Sequence, residues 1–168
     1  MKKQSLLSAL LIMLMISLSI SCFATSIDSN HIVTESEVHF FVEGERINGI
    51  LTRPESSEGP VPVVVLLHGF LGHMNDLTVY GSEESLYRMT ARLFAEKGLA
   101  SLRFDFRGSG TSDGEWKDTT FTKQISDAIS SIDFLSLAED LDSRRVGVVG
   151  LSQGGFVAAC LAARDSRV

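Results

Sequence analysis

Val146-Gly147-Val148-Val149-Gly150-Leu151-Ser152-Gln153-Gly154-Gly155 is the stretch whose reading decides the fold. Its first half is apolar without alternation, the pattern of a strand covered on both faces in a parallel sheet. Beyond Gly154 and Gly155 comes a second apolar run, Phe156-Val157-Ala158-Ala159-Cys160-Leu161, read as a helix over residues 153–163. A serine between a buried strand and a helix start sits in a strained turn, with its hydroxyl lifted above the sheet edge. Small neighbours are required there, because the turn brings the strand and helix backbones together. The G-x-S-x-G pattern recurs at Gly110-Thr111-Ser112-Asp113-Gly114. That copy lies in a polar loop and runs into Glu115-Trp116-Lys117, so Ser112 is read as a loop residue. Ser152 is the candidate nucleophile.

Upstream, Val61-Pro62-Val63-Val64-Val65-Leu66-Leu67 is another continuous apolar run. Before it, residues 36–42 alternate, with Val38, Phe40 and Val42 on one face. Glu43-Gly44-Glu45 turns the chain into a second strand over residues 46–52, giving an antiparallel hairpin. Between residues 67 and 145 helices and strands alternate. Ser82 is the expected N-cap of a helix carrying Leu86, Met89, Leu93 and Phe94, which Gly98 ends. Residues 100–104 form a short strand, followed by a glycine-rich loop over residues 107–114. Phe121, Ile125, Ala128, Ile129, Ile132 and Leu135 mark a second amphipathic helix. A hairpin followed by βαβαβα implies an α/β fold with a mostly parallel sheet and right-handed crossovers.

Composition fits one domain: 168 residues, 44% hydrophobic and 21% charged. A net charge of −6 argues against a nucleic-acid binder relying on a basic face. Two cysteines cannot build a disulfide framework, and no Cys/His cluster has zinc-ligand spacing. Lys2 and Lys3 precede an uncharged stretch over residues 4–27 with its apolar heart at 6–20, the pattern of a secretory signal. Cys22 and Ala24 suit a cleavage site before Thr25, so residues 1–24 are read as a leader and the product as exported, periplasmic or extracellular. A lipid-modified Cys22 and an uncleaved membrane anchor are the alternatives. They are the only routes to a membrane. Cys160, apolar on every side, is read as a small buried hydrophobe.

A nucleophilic serine needs donors aimed at the anionic oxygen of the tetrahedral intermediate. The backbone N–H of Gln153, at a helix N-terminus, is one; His68-Gly69-Phe70, after the third strand, offers the N–H of Phe70 as the other. With Arg103-Phe104-Asp105-Phe106-Arg107-Gly108-Ser109-Gly110 and Gly150-Leu151-Ser152-Gln153-Gly154-Gly155, these residues make the chain resemble the α/β-hydrolase superfamily from about Ser36 onward. Within it the chain looks most like the branch of serine aminopeptidase, cinnamoyl-esterase-like and monoglyceride-lipase-like domains. The resemblance implies that His68 shapes the oxyanion loop, that Asp105 and Arg107 brace the loop after the fourth strand, and that the strand at residues 145–151 is central in the sheet. His31 and His39 are given no role. His73 is read as a solvated loop residue, and Trp116 as a partly buried loop anchor.

In this superfamily the triad runs Ser, then Asp or Glu, then His. After Ser152 come 16 residues with one acid, Asp165, and no histidine. The expectation is therefore the N-terminal portion of an α/β-hydrolase domain over residues 25–168, truncated after the nucleophile helix. It acts on carboxylic esters through an acyl-enzyme on Ser152 but is inactive as this chain alone. A serine peptidase acting on amides and a non-catalytic truncated hydrolase are the alternatives. The expected partner is a small ester or amide substrate, with no nucleic acid. Acyl transfer by this route calls for no cofactor and no metal.

Overall fold

The computed structural model describes residues 33–55 and 57–168. The leader read over residues 1–24, its cleavage site and His31 lie outside the described residues. The elements run β1 (Val33–Val42), β2 (Glu45–Pro54), β3 (Val61–Leu67), α1 (Leu86–Glu96), β4 (Ala100–Phe104), a 3-10 turn (Trp116–Asp118), α2 (Phe121–Leu135), β5 (Leu141–Gly150) and α3 (Gln153–Ala162). The sheet order is β1-β2-β4-β3-β5. β1 and β2 form the antiparallel hairpin, β2 is antiparallel to β4, and β3 lies parallel to both β4 and β5. The hairpin turn works because Glu43 and Gly44 both adopt positive φ, 53° and 86°. That geometry matches the right-handed twist of the flanking strands.

The apolar run of β3 is buried because the sheet is covered on both faces there. β5, expected to be buried likewise, keeps Val146 buried but Val148 only half-buried and Val149 49% exposed, because among the described residues it lies at the edge of the sheet. Val63, Val65 and Leu67 of β3 point into a core shared with Phe40, Phe104, Ile132 and Leu161. Val64 and Leu66 point the other way, onto Tyr87 and Ala91 of α1. Each fully buried aliphatic or aromatic side chain of this kind contributes roughly 1.5–3 kcal/mol. Within the main core, Phe104 meets Phe40 and Phe106 edge-on, at 5.5 and 5.3 Å between ring centroids.

Two features of α1 differ from the reading of the sequence. The helix begins at Leu86, capped by Ser85, whose side chain accepts from the Arg88 N–H. Ser82 instead accepts from the Glu84 N–H in a local turn, and a bridge between Thr78 and Ser85 holds the approach extended. The buried stripe is Tyr87, Ala91 and Ala95, while Leu86 and Leu93 are exposed at 38% and 46%. Small alanines let the helix backbone approach β4 and β2 closely, and closeness outweighs the higher hydropathy of the leucines. The end of the helix is as expected. Gly98 has φ 78°, and the N–H groups of Gly98 and Leu99 return to Ala95 O and Phe94 O.

The order of the strands places the site. The chain passes from β3 through α1 to β4 on one side, then through α2 to β5 on the other side of β3. Ligands of open α/β sheets bind where the strand order reverses, beyond the carboxyl ends of the strands. Here those ends are Leu67 of β3 and Gly150 of β5. Among the described residues β5 pairs with β3 alone and forms one edge of the sheet.

Candidate active site

Ser152 follows β5 and precedes α3 with φ 53° and ψ −116°. A non-glycine residue held in such a conformation costs about 1–3 kcal/mol and persists only where its surroundings enforce it. The surroundings here are steric. A Cβ on Gly150 would stand 2.1 Å from Gly154 O, and one on Gly154 would stand 2.3 Å from Leu67 O and 2.6 Å from His68 O. Glycine at both positions lets the start of α3 lie directly on the ends of β3 and β5. The Leu151 N–H donates to Leu67 O at 3.2 Å and the Gly154 N–H to Leu151 O at 2.9 Å, closing the turn. Ser152 is the N-cap of α3, yet its hydroxyl makes no capping bond, and the side chain is exposed.

The loop after β3 comes up beside it. A Cβ on Gly69 would lie 3.6 Å from Ser152 Cβ. The loop folds back through a Gly72 N–H to Gly69 O bond of 3.1 Å, with Leu71 at φ 55°. Among the described residues neither the Phe70 N–H nor the Gln153 N–H donates to a protein acceptor. These are the two donors expected from the sequence. The structure brings both to the Ser152 side of the sheet.

His68 is buried, 2% exposed, and both ring nitrogens are engaged. Nε2 accepts from the Phe106 N–H at 3.2 Å, so Nδ1 carries the proton and donates to Gly69 O at 2.9 Å. Burial pushes its pKa below the ordinary histidine value, against the pull of the Gly69 carbonyl and Asp105. This neutral imidazole ties the loop after β3 to the loop after β4. Asp105 does the same from the other side: Oδ1 accepts from the Met74 N–H at 2.7 Å and Oδ2 from the Thr111 N–H at 2.8 Å. Ser112 is a brace, donating to Asp105 O at 2.7 Å while accepting from the Asn48 N–H at 2.9 Å. Its hydroxyl is fully used. His73 and His39 are exposed. Asp165 lies past the far end of α3, paired with Arg167, which lowers its carboxyl pKa through a side-chain hydrogen bond. The ten-residue helix puts it roughly 15 Å from Ser152 along the axis.

Two groups escape the sequence reading. Asp127, on the buried side of α2, accepts from Arg107 Nε at 2.6 Å and from the Arg107 N–H at 3.0 Å. Burial raises the Asp127 pKa, while the bonds from Arg107 restrain the shift. Glu43 and Glu45 of the hairpin reach the same guanidinium at 2.7 and 3.2 Å. Gln124, 2% exposed, accepts from Gln153 Nε2 at 2.7 Å and ties α2 to the first turn of α3. A buried Arg107 signals that a carboxylate partner exists, but spacing does not say which one.

Ser152 and Gln153 open onto a cleft of about 400 Å³ lined also by Phe70, Trp116 and residues 119–121. None of the lining side chains is charged, and among the described residues no histidine lines it.

A mixed sheet, an antiparallel hairpin followed by parallel strands, with a strained serine turn between strand and helix defines an α/β hydrolase. Residues 43–167 match the X-Pro dipeptidyl-peptidase (S15) family, and the chain belongs to that family. It is 37% identical over 107 residues to an uncharacterised 31.7 kDa protein of Escherichia coli, covering 64% of this chain and 34% of that one. It is 31% identical over 100 residues to the mitochondrial palmitoyl-protein thioesterase ABHD10 of Homo sapiens, covering 60% and 28%. Among solved structures it resembles Est1E of Butyrivibrio proteoclasticus with ferulic acid bound, with a TM-score of 0.65 and 28% identity over 75% of this chain and 47% of that one. The chain thus spans roughly a third of the two curated relatives and about half of Est1E.

Proposed function

We propose that the chain carries the nucleophile and the oxyanion-binding loop of a serine hydrolase that cleaves carboxylic esters through an acyl-enzyme on Ser152. The observation that carries this reading is the backbone of Ser152, strained at φ 53° between Gly150 and Gly154, with its hydroxyl uncommitted. In this mechanism Ser152 Oγ adds to the ester carbonyl carbon while its proton passes to a general base. The carbonyl oxygen becomes an anion held by the N–H groups of Phe70 and Gln153, the second reinforced by the N-terminus of α3. Collapse expels the alcohol, which takes up the proton, and water then releases the acid from Ser152.

The base and the acid that orients it are assigned outside residues 153–168, which hold no histidine and only Asp165. On this proposal the 168-residue chain alone is inactive toward esters, because a serine hydroxyl without a base is a poor nucleophile at neutral pH. Amide cleavage is the second reading, favoured by the name of the family. The ester reading is supported by the aromatic and hydroxyl side chains, Phe70, Trp116, Phe121, Thr119 and Thr120, that line the cleft beside Ser152.

The test uses the polypeptide that bears this chain. Turnover of 4-nitrophenyl acetate and labelling by a fluorophosphonate are both expected, and both vanish in Ser152→Ala while surviving in Ser112→Ala. Activity that persists in Ser152→Ala overturns the assignment, and a parent that neither turns over nor labels identifies a non-catalytic product. Export is part of the proposal. Sequencing of the mature N-terminus is expected to begin at Thr25; an acylated Cys22 identifies the lipoprotein form and a retained Lys2-Lys3 the anchor.

A further inference from the structure

We propose that Trp116 is a specificity-determining residue, presented by the loop after β4 to seat a flat, uncharged group of the substrate beside Ser152. The inference rests on the ester-hydrolase reading of that site and adds the class of substrate. Trp116 meets Phe70 edge-on at 5.1 Å between centroids and 76° between planes. Phe121, a few residues on, meets Phe156 of α3 at 4.7 Å and 63°. Two aromatic pairs thus stand close to the nucleophile, one of them built on the residue that offers its N–H to the oxyanion. A flat apolar group gains most from such surfaces, through area and through offset or edge-on ring contact. A charged group entering the same cleft loses hydration and finds no countercharge among the residues that line it.

The loop that carries Trp116 is fixed in place. Gly108, at φ 77°, has its backbone so close to the turn that a Cβ there would stand 2.7 Å from Glu115 C and 2.8 Å from Trp116 N. The 3-10 turn closes through the Thr119 N–H to Trp116 O bond at 3.1 Å, and Thr119 Oγ1 donates to Arg107 O at 3.2 Å. Arg107 is in turn held by Asp127, Glu43 and Glu45. An indole fixed in advance spares the substrate the entropy of ordering it. The ion cluster, with Arg107 and Asp127 buried and Glu43 and Glu45 outside them, thus acts at a distance on the cleft.

The experiment compares kcat/KM for ethyl benzoate, ethyl acetate and acetylcholine in the polypeptide bearing this chain and in Trp116→Ala and Trp116→Phe. Trp116→Ala is expected to lower the benzoate-to-acetate selectivity about tenfold, the factor that corresponds to the loss of one good ring contact. Trp116→Phe is expected to restore most of that selectivity, which separates loss of the ring from a damaged fold. Equal loss for ethyl benzoate and ethyl acetate overturns the proposal, as does an acetylcholine rate that depends on Trp116 as strongly as the benzoate rate. A second arm needs no turnover. Ethyl benzoate is expected to change the tryptophan emission saturably in Ser152→Ala, and that change is expected to vanish when Trp116→Phe, which removes the single tryptophan of these 168 residues, is added. Unchanged emission overturns the inference, whereas turnover independent of Ser152 overturns only the hydrolase reading beneath it.

Discussion

Gly154 and Gly155 are neighbours on one helix, yet alanine at the two positions is expected to behave oppositely. At Gly154 the added Cβ would sit 2.3 Å from Leu67 O and 2.6 Å from His68 O, where a carbon–oxygen contact needs about 3.3 Å. Both acceptors are backbone atoms at the end of β3, and Leu67 O is already bonded to the Leu151 N–H. Neither can swing away as a side chain would, so α3 has to withdraw by roughly 1 Å, the shortfall against that contact distance. Overpacking of this sort costs typically about 1–3 kcal/mol, and the rigid neighbours put Gly154→Ala at the upper end. Alanine returns about 1 kcal/mol of helix propensity, leaving a net loss of about 2 kcal/mol. At about 2–4 °C per kcal/mol for a domain of this size, the melting temperature falls by about 4–8 °C. At Gly155 the nearest atom is Gly150 O at 3.2 Å, only about 0.1 Å inside that contact distance, and the same propensity gain offsets it. Thermal and denaturant unfolding of the two variants, followed by circular dichroism, makes the comparison. If Gly154→Ala is as stable as Gly155→Ala, the helix does not rest on the end of β3 and the steric account of the Ser152 turn is wrong.

Asp127→Asn leaves the guanidinium of Arg107, 3% exposed, facing only the outer carboxylates of Glu43 and Glu45. It is expected to cost about 3–5 kcal/mol, as breaking a buried ion pair does, and to raise the accessibility of Trp116 to acrylamide. An unchanged denaturation midpoint would detach the ion cluster from the loop. Because the folded pKa of His68 lies below its usual 6.5, the unfolded chain binds the proton more readily. Stability is therefore full above about pH 6.5 and falls as the pH drops below it, and His68→Gln flattens that segment of the stability–pH curve. A slope that survives the substitution assigns the titration elsewhere. Ser112→Ala removes two hydrogen bonds of the loop, to Asn48 N–H and Asp105 O, and is expected to cost about 1–2 kcal/mol, measured by urea unfolding, with fluorophosphonate labelling intact.

What was legible in the sequence is what depends on near neighbours along the chain. Gly150-Leu151-Ser152-Gln153-Gly154 announces itself because the strain on Ser152 and the clearance at Gly150 and Gly154 are imposed within five residues. The unbroken apolar run of β3 is visible for a similar reason, since both faces of that strand are covered. The face of α1 was not legible, because proximity to Leu66 favours Ala91 over Leu93 and no local signal reports that distance. The polar residues of α2 were hidden for a deeper reason. Gln124 and Asp127 occupy positions that pattern reading gives to solvent, and the structure buries them because α3 and the loop after β4 meet the helix on that side. Their partners, Gln153 and Arg107, are 29 and 20 residues away. The division follows the chemistry. The Ser152 turn is held by short-range sterics, while the loop of Trp116 depends on an ion cluster joining the hairpin, the loop after β4 and α2. On the proposed ester-hydrolase function, substitutions in that cluster are therefore expected to act on the choice of ester before they act on Ser152, although none of its members lines the Ser152 cleft.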